Sequence, residues 1–361
     1  MQKKNVLHIL RTYSLHGGEK QLSKVLIKNK YFNNTFLDFY NDKKIKNYYS
    51  KNKIPYLYLN NFYIKPLNLI LELFLSFFFM IYSFKKVAKI LNSKKIEIVV
   101  CHGIQSAIII QVVMFFFKKK IKFFYMHRIL KQHRSYDFLS RIIYNRFNLI
   151  LCNSNAVKKS LHLYSTKDKV KVIYNAVEIE KKINFKKNNE NIILSIARLE
   201  KRKNLLFLKK LFHKFKKKNK NYSLFLIGDG PEKFYLKDYV KRNKILDVNF
   251  LGYKKNVKKY LKRCKIFVHT SLFEGMSNAV LEAMALGKAS VVLNSPGVAE
   301  LHVHKKTGFI SGKSLSEFTN YLDKLEKNEK LLKIFFKNSR NRVRKKYSIE
   351  KTLISYNQYL K

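Results

Sequence analysis

An α/β protein with two parallel sheets is predicted for this chain of 361 residues, and three observations carry the prediction. Short apolar runs alternate with polar or amphipathic stretches, the pattern of β–α units that feed parallel sheets. The rhythm breaks once, at Glu180–Glu190, a polar Lys/Asn-rich stretch, and then resumes, which divides the chain into two such domains. Length agrees, since at about 150 residues per domain the chain makes two or three units, each able to bury a core.

In the first half the runs are Val6–Leu10, Ile96–Cys101, Ile121–Met126 and Leu149–Cys152. In the second they are Ile192–Ala197, Ser223–Ile227, Val248–Leu251, Ile266–His269 and Ser290–Leu293. Ser348–Leu360 reads as an amphipathic helix capped by Ser348. From Leu67 to Phe84 the chain is apolar apart from Asn68, Glu72 and Ser76, and it continues amphipathically through Lys85–Leu91. A membrane-spanning helix needs about 20 mainly apolar residues. Three readings of the segment therefore stand: a packed helix of a large domain, a span, or a helix lying on a bilayer with its lysines at anionic headgroups.

The charge is extreme. Against 23 Asp+Glu stand 75 Lys+Arg, leaving +52 at pH 7. Such a surplus suits an anionic partner: nucleic acid, nucleotide phosphate or an acidic membrane surface. A/T-rich codons produce the same surplus, because Lys, Asn, Ile, Phe and Tyr abound and Trp is absent. The basic residues run the whole length rather than gathering in one tail, so charge alone names no partner. Cys101, Cys152 and Cys264 are isolated and lack metal or redox spacing; buried thiols in a reducing compartment are expected. Only Asn5–Leu10 separates Lys3 and Lys4 from Arg11, too short an apolar stretch for a secretory signal. A cytoplasmic location is expected, with a peripheral place on the cytoplasmic membrane face also in view.

Ligands of open α/β sheets bind beyond the carboxyl ends of the strands, so the loops after the apolar runs matter most. The chain has only 11 glycines, and several fall in those loops: Gly17-Gly18 after the first run, Gly228-Asp-Gly230-Pro231 after another, Gly275 after a third. Glycine there serves positive φ or close backbone approach.

The segment Ser271–Gly287 carries the strongest chemistry. It runs from a strand end through a Gly275 turn into a helix with Ser277 or Asn278 as N-cap, and the free N–H groups of a first helical turn attract anions. Glu274 precedes the turn and Glu282 lies within the helix, between small apolar residues. Two carboxylates bracketing an anion site suit different hydroxyls of one phosphorylated, sugar-bearing ligand. A second anion site is predicted in Ser195–Asn204, where Arg198 and Lys203 follow a strand. Arginine offers a fork to phosphate and lysine a point charge.

Arg198 with Lys203, Leu226–Pro231, Phe250-Leu-Gly252, and Glu274 with Glu282 form an ordered series. It resembles the retaining nucleotide-sugar glycosyltransferases of family 4, whose Glu-x7-Glu signature is intact as Glu274 and Glu282. Pro296–Glu300 and Lys306-Thr-Gly308 extend the likeness, although Ser295-Pro296-Gly297 stands where the family often has a Gly-Gly pair. The amino-terminal half is more loosely similar, through Gly17-Gly18-Glu19, Cys101-His102-Gly103, Tyr125-Met-His127 and Tyr174–Glu178. Such enzymes have the GT-B architecture, two Rossmann-like domains facing across a cleft. The implied organisation is an acceptor-binding domain at 1–185, a donor-binding domain at 186–345, and a terminal helix at 346–361 that crosses back to the first domain.

The resemblance implies a role for each matching residue. Arg198 and Lys203 bind the donor diphosphate and stabilise the leaving group; Glu282 takes the ribose hydroxyls and Glu274 the donor sugar. The backbone of Gly275, Met276, Ser277 and Asn278 cradles phosphate or sugar. His127, at a strand end, has two readings, a hydrogen bond to the donor sugar or transition state and a satisfied structural histidine; His102 has the same two, His16 lines the glycine loop, and Gly17 and Gly18 form the acceptor-side loop. No metal and no cofactor are implied, and no Asp-x-Asp motif occurs. The expected reaction moves a sugar from a nucleotide-sugar donor to a glycan or lipid-linked acceptor, with retention, in polysaccharide or lipopolysaccharide assembly. A sugar-nucleotide epimerase on the same fold is the enzymic alternative. A non-catalytic nucleic-acid-binding protein is the other, which the scattered basic residues and the lack of a nucleic-acid motif oppose.

Overall fold

Parallel strands are covered on both faces, so they read as unbroken apolar runs rather than alternating ones. The computed structural model describes residues 3–10, 17–60, 69–117, 120–130, 142–161, 167–185 and 190–361. His16 and residues 67–68 lie outside these. Two units divide the chain: Met1–Asn175 with Thr352–Lys361, and Ala176–Lys351.

Seven strands build the sheet of the first unit: β1 (Lys4–Leu10), β2 (Phe32–Tyr40), β3 (Tyr56–Asn60), β4 (Ile98–His102), β5 (Lys122–His127), β6 (Leu149–Cys152) and β7 (Val170–Val172). They lie in the order β3-β2-β1-β4-β5-β6-β7, all parallel. The register Leu10↔His102 aligns the ends of β1 and β4, and His127↔Cys152 does so for β5 and β6. Leu69–Ser93 forms one helix whose Val87 and Leu91 enter the core with Leu7, Val99 and Phe123. Among the described residues no helix is long and apolar enough to cross a membrane. The helix Ile349–Leu360 starts after Ser348, whose Oγ accepts from Lys351 N at 3.3 Å. Its Tyr356 and Leu360 join Val6, Leu22 and Phe36 in the core on the other face of the sheet. The backbone oxygen of Lys361 accepts from Lys4 Nζ at 3.0 Å and Lys122 Nζ at 2.9 Å.

Six strands build the sheet of the second unit: β8 (Glu190–Ile196), β9 (Ser223–Ile227), β10 (Val248–Gly252), β11 (Cys264–His269), β12 (Ala289–Leu293) and β13 (Phe309–Ser311). Their order is β10-β9-β8-β11-β12-β13, again parallel. Helices Leu205–Lys216 and Leu315–Lys327 pack Leu208, Leu211, Phe212, Phe318 and Leu322 onto Ile193, Leu224 and Val291. Both sheets are thus doubly wound Rossmann-like sheets, and in each the strand order reverses at one place: between β1 and β4, and between β8 and β11.

Candidate active site

A reversal of strand order leaves a crevice beyond the carboxyl ends of the two strands that flank it, because their loops depart to opposite faces. In the second unit these are β8 and β11, and the loops after them carry Arg198, Lys203 and Glu274.

After β8 the chain lies on the turn that follows β9. Ala197 N donates to Ile227 O and Leu199 N to Asp229 O, both at 3.0 Å. This approach requires glycine. A Cβ at Gly228, whose φ is +142°, would stand 1.8 Å from Ala197 O, and one at Gly230 2.4 Å from Leu199 O. The Gly-Asp-Gly turn therefore seats the loop that bears Arg198. The Arg198 side chain is 56% exposed, its Nε 3.7 Å from Glu200 Oε2.

Lys203 closes a short 3-10 turn, Lys201–Lys203, that ends on Asn204 in the left-handed region. The loop after β11 fastens that turn: Thr270 Oγ1 donates to Lys203 O at 2.9 Å, and Leu272 N to Arg202 O at 2.9 Å. Lys203 is consequently buried, 8% exposed, and its Nζ donates to Glu274 Oε1 at 2.6 Å. His269, the last residue of β11, reaches the same oxygen through Nε2 at 2.6 Å. A carboxylate only accepts, so His269 Nε2 carries the proton. The same nitrogen lies 3.2 Å from Ser277 Oγ. Burial opposes ionisation of Glu274, but the charges and hydrogen bonds of His269 and Lys203 outweigh it and hold the carboxyl well below the usual carboxylate range.

Ser277, in extended backbone, is the N-cap of the helix Asn278–Ala285, and its Oγ accepts from Val280 N at 3.5 Å. Gly275, Met276 and Ser277 are buried, while Asn278 and Glu282 are half-buried. Glu282 sits between Leu281 and Ala283, both fully buried. Gly297 follows β12 with φ +73°, and a Cβ there would stand 2.0 Å from Glu274 O and 2.4 Å from Gly275 O. Glycine at 297 lets that loop lie against the Glu274-Gly275 turn, and Glu274 N donates to Pro296 O at 3.5 Å. Among the described residues no group of three His, Cys, Asp or Glu is placed to hold a metal ion.

His127, Gly17 and Gly18 belong to the first unit and are described there. His127 ends β5, half-buried, with Tyr125 Oη at 3.2 Å and Tyr144 Oη at 3.4 Å from its Nδ1. Gly17 and Gly18 open the helix Gly17–Leu26. Among the described residues a Cβ at Gly18 would make ordinary contact, 3.7 Å from Arg128 Nη1.

Several contributors carry no spacing signal in the sequence. His269 is one. In the first unit a further set joins the ends of β1, β4 and β5. Asn34 Nδ2 donates to Leu26 O at 3.0 Å, which aims its Oδ1 at His8 Nε2, 2.9 Å away. His8 must then carry its proton on Nε2, and its Nδ1 accepts from His102 Nε2 at 3.1 Å. His102 Nδ1 is left to accept from Arg128 Nη2 at 3.5 Å, while Arg128 Nη1 donates to Gly18 O at 3.2 Å. Burial is the main cause that keeps both rings neutral: His8 is pushed down to about 4, and His102, with Arg128 and His8 beside it, well below its ordinary value.

Residues 176–342 match the family model for glycosyl transferases group 1, and residues 56–181 match that for Glycosyltransferase Family 4. A Campylobacter jejuni protein is 29% identical over 181 residues, 48% of this chain and 49% of its own length. It is named N-acetylgalactosamine-N,N'-diacetylbacillosaminyl-diphospho-undecaprenol 4-alpha-N-acetylgalactosaminyltransferase. An uncharacterized glycosyltransferase of Methanocaldococcus jannaschii is 32% identical over 160 residues, 40% of this chain and 39% of its own length. The Escherichia coli UDP-Gal:alpha-D-GlcNAc-diphosphoundecaprenol alpha-1,3-galactosyltransferase is 29% identical over 225 residues, 56% of this chain and 57% of its own. The chain thus spans about two fifths to just over half the length of these curated relatives. Among solved structures, HepE of Anabaena in complex with UDP and glucose superposes with a TM-score of 0.81 at 18% identity, covering 99% of both chains. With two Rossmann-like sheets, a fold shared along its length and family matches in both halves, the chain has the build of a GT-B glycosyltransferase.

Proposed function

We propose that this chain transfers a sugar from a nucleotide-sugar donor to a glycan or lipid-linked acceptor, with retention at the anomeric carbon, in polysaccharide or lipopolysaccharide assembly. The observation that carries the reading is the buried Lys203–Glu274–His269 cluster beside the N-terminus of the helix Asn278–Ala285, at the reversal between β8 and β11.

In this reading Arg198 and Lys203 bind the donor diphosphate. Among the described residues Arg198 meets Glu200 in a long, exposed contact, an interaction worth little, so its fork turns to phosphate at small cost. Lys203 spends one of three protons on Glu274 and keeps two to donate. Their charges stabilise the diphosphate as the bond to the sugar breaks, the electrostatic contribution that is usually largest. Glu282 accepts from the ribose hydroxyls and Glu274 from the donor sugar, while the N–H groups around Gly275, Met276, Ser277 and Asn278 meet phosphate or sugar. His127 hydrogen-bonds the donor sugar, and Gly17 and Gly18 line the acceptor side. The departing diphosphate oxygen takes the acceptor's proton on the face the donor occupied, so no enzymic nucleophile, metal or cofactor enters. The complexes of HepE with UDP and sugar support a nucleotide-sugar donor. The undecaprenol-linked acceptors in the names of the Campylobacter and Escherichia relatives support a lipid-linked acceptor.

The test is a panel of nucleotide-sugars offered to the wild type and to Glu282→Ala. Transfer or hydrolysis with one donor, lost in the variant, is expected. Unchanged turnover in the variant overturns the site, and release of an inverted sugar-nucleotide without acceptor identifies an epimerase instead.

A further inference from the structure

A cavity of about 300 Å³ lies in the second unit at the amino-terminal ends of β11 and β12, the end of the sheet opposite the one that carries Glu274. Phe185, Leu286, Leu332 and Phe336 make its apolar wall. The Phe185 and Phe336 rings meet edge to face, centroids 5.7 Å apart. Gly287 lets Phe336 lie against the end of the helix Asn278–Ala285, since a Cβ there would stand 2.3 Å from the ring. Buried Arg340 fastens the parts together, donating to Ala285 O at 2.7 Å and to Glu180 O at 2.8 Å. Cations complete the lining. Lys182 and Lys262 are exposed at its mouth, with Lys265 half-buried behind them. Lys288 is 9% exposed, its Nζ donating to Lys262 O at 3.0 Å and Cys264 O at 2.9 Å. Among the described lining residues the one carboxylate is Glu180, and Lys258 and Lys262 share its charge.

We propose that this cavity binds a small carboxylic acid with an apolar aryl or alkyl body. Small-molecule sites are concave and mainly apolar, with a few polar groups that fix orientation, and both parts are present here. The apolar body lies among Leu332, Phe336 and Phe185, and the carboxylate meets the ammonium groups of Lys182 and Lys262 at the mouth, a charge-assisted contact. Size narrows the class: at about 30 Å³ for each water-sized occupant, the cavity takes about ten non-hydrogen atoms, a benzoate rather than a nucleotide. The whole helix Asn278–Ala285 separates the cavity from Ser277, so the proposal stands independently of the transfer reaction.

Fluorine NMR of 4-fluorobenzoate, titrated with the whole chain, tests it against the neutral isostere 4-fluorobenzamide. A net charge of +52 draws anions to the whole surface, so the deciding variants leave charge untouched and fill the cavity: Ile183→Trp and Asn184→Trp, both at lining positions. Asn184 is exposed, so its variant keeps the test open should Ile183→Trp unfold. Saturable binding of the acid by the wild type is expected. The amide should bind at least about tenfold more weakly, as should the acid to Lys182→Gln with Lys262→Gln, the loss of a charge-assisted contact. Each tryptophan variant should weaken the acid by at least about tenfold, as expected when its apolar body loses its place. Equal binding by the tryptophan variants assigns the acid to the basic surface at large and overturns the proposal. Equal binding of acid and amide, or no saturation, overturns it too. A dimer of the wild type that Asn184→Trp dissociates, with no acid bound, assigns the cavity to a second copy of the chain instead.

Discussion

Lys203 and Glu274 stand 71 residues apart in the chain, yet their charged atoms meet at 2.6 Å inside the second unit. The meeting is produced by topology. Lys203 follows β8 and Glu274 follows β11, strands that pair side by side, and the carbonyls of 202 and 203 are held by Leu272 and Thr270. Removing one member of such a buried pair strands the other's charge. Lys203→Ala is expected to destabilise the second unit by about 3 kcal/mol, and a double-mutant cycle with Glu274→Ala should return a coupling of about 1–3 kcal/mol. Denaturant titration of the four proteins measures it; additive losses would show the contact to be energetically idle.

His269 shares the Glu274 oxygen with Lys203 and touches the cap of the next helix. We expect it to position Glu274, so His269→Ala should lower kcat for the identified donor by about 10–100-fold, the range of lost supporting hydrogen bonds, while His269→Gln, which can still donate, restores part. A KM change with kcat intact would contradict positioning.

Arg198 makes the opposite case, because its side chain is more than half exposed. Arg198→Ala should leave the unfolding midpoint within experimental error and weaken donor binding by about 10–100-fold, as expected for a lost charge-assisted pair to phosphate. Titration of the nucleoside diphosphate reads both results on one preparation.

Two glycines give contrasting expectations. Gly297→Ala drives a methyl to 2.0 Å from a backbone oxygen at φ +73°, and neither the strain nor the backbone can yield cheaply. A loss above about 2 kcal/mol is expected, together with displaced donor contacts at Glu274. Gly18→Ala meets nothing among the described residues closer than 3.7 Å and should stay within about 0.5 kcal/mol. Thermal melts of the two variants decide.

Acid should weaken the first unit before the usual carboxylate range is reached. His8 takes up a proton near 6.5 when unfolded and only near 4 when folded, chiefly because burial disfavours its charge. Between those values the unfolded chain binds more protons, so stability falls as pH drops from 6.5 towards 4, by about 3 kcal/mol for this ring at 1.36 kcal/mol per unit. His102, lowered by burial and by Arg128 and His8, acts in the same direction. Unfolding midpoints across this window should fall less steeply in His8→Gln than in the wild type; identical slopes would show that His8 titrates normally.

The long apolar runs were legible because burial on both faces writes itself directly into composition. β2 was not, since Asn33, Asn34 and Asp38 interrupt it; yet Asn34 is the acceptor for His8 and Asp38 is fully buried. β7 and β13 have three residues each, too few for a pattern, and β3 is a five-residue edge strand. Glu274, Lys203 and the glycines around them could be picked out by local order along the chain. His269 could not, because at the end of an apolar run it reads as one more core residue. His8 and Arg128 were hidden for the same reason, as their partners lie on other strands and only the sheet order brings them together.

The first unit is assembled from two separated stretches, and its core includes Tyr356 and Leu360. The second, Ala176–Lys351, is continuous. On a chain emerging from the ribosome, where amino-terminal domains ordinarily fold first, the order is partly inverted here. The sheet of the second unit can finish while the earlier one still lacks its closing helix, leaving that face uncovered until residues 352–361 arrive.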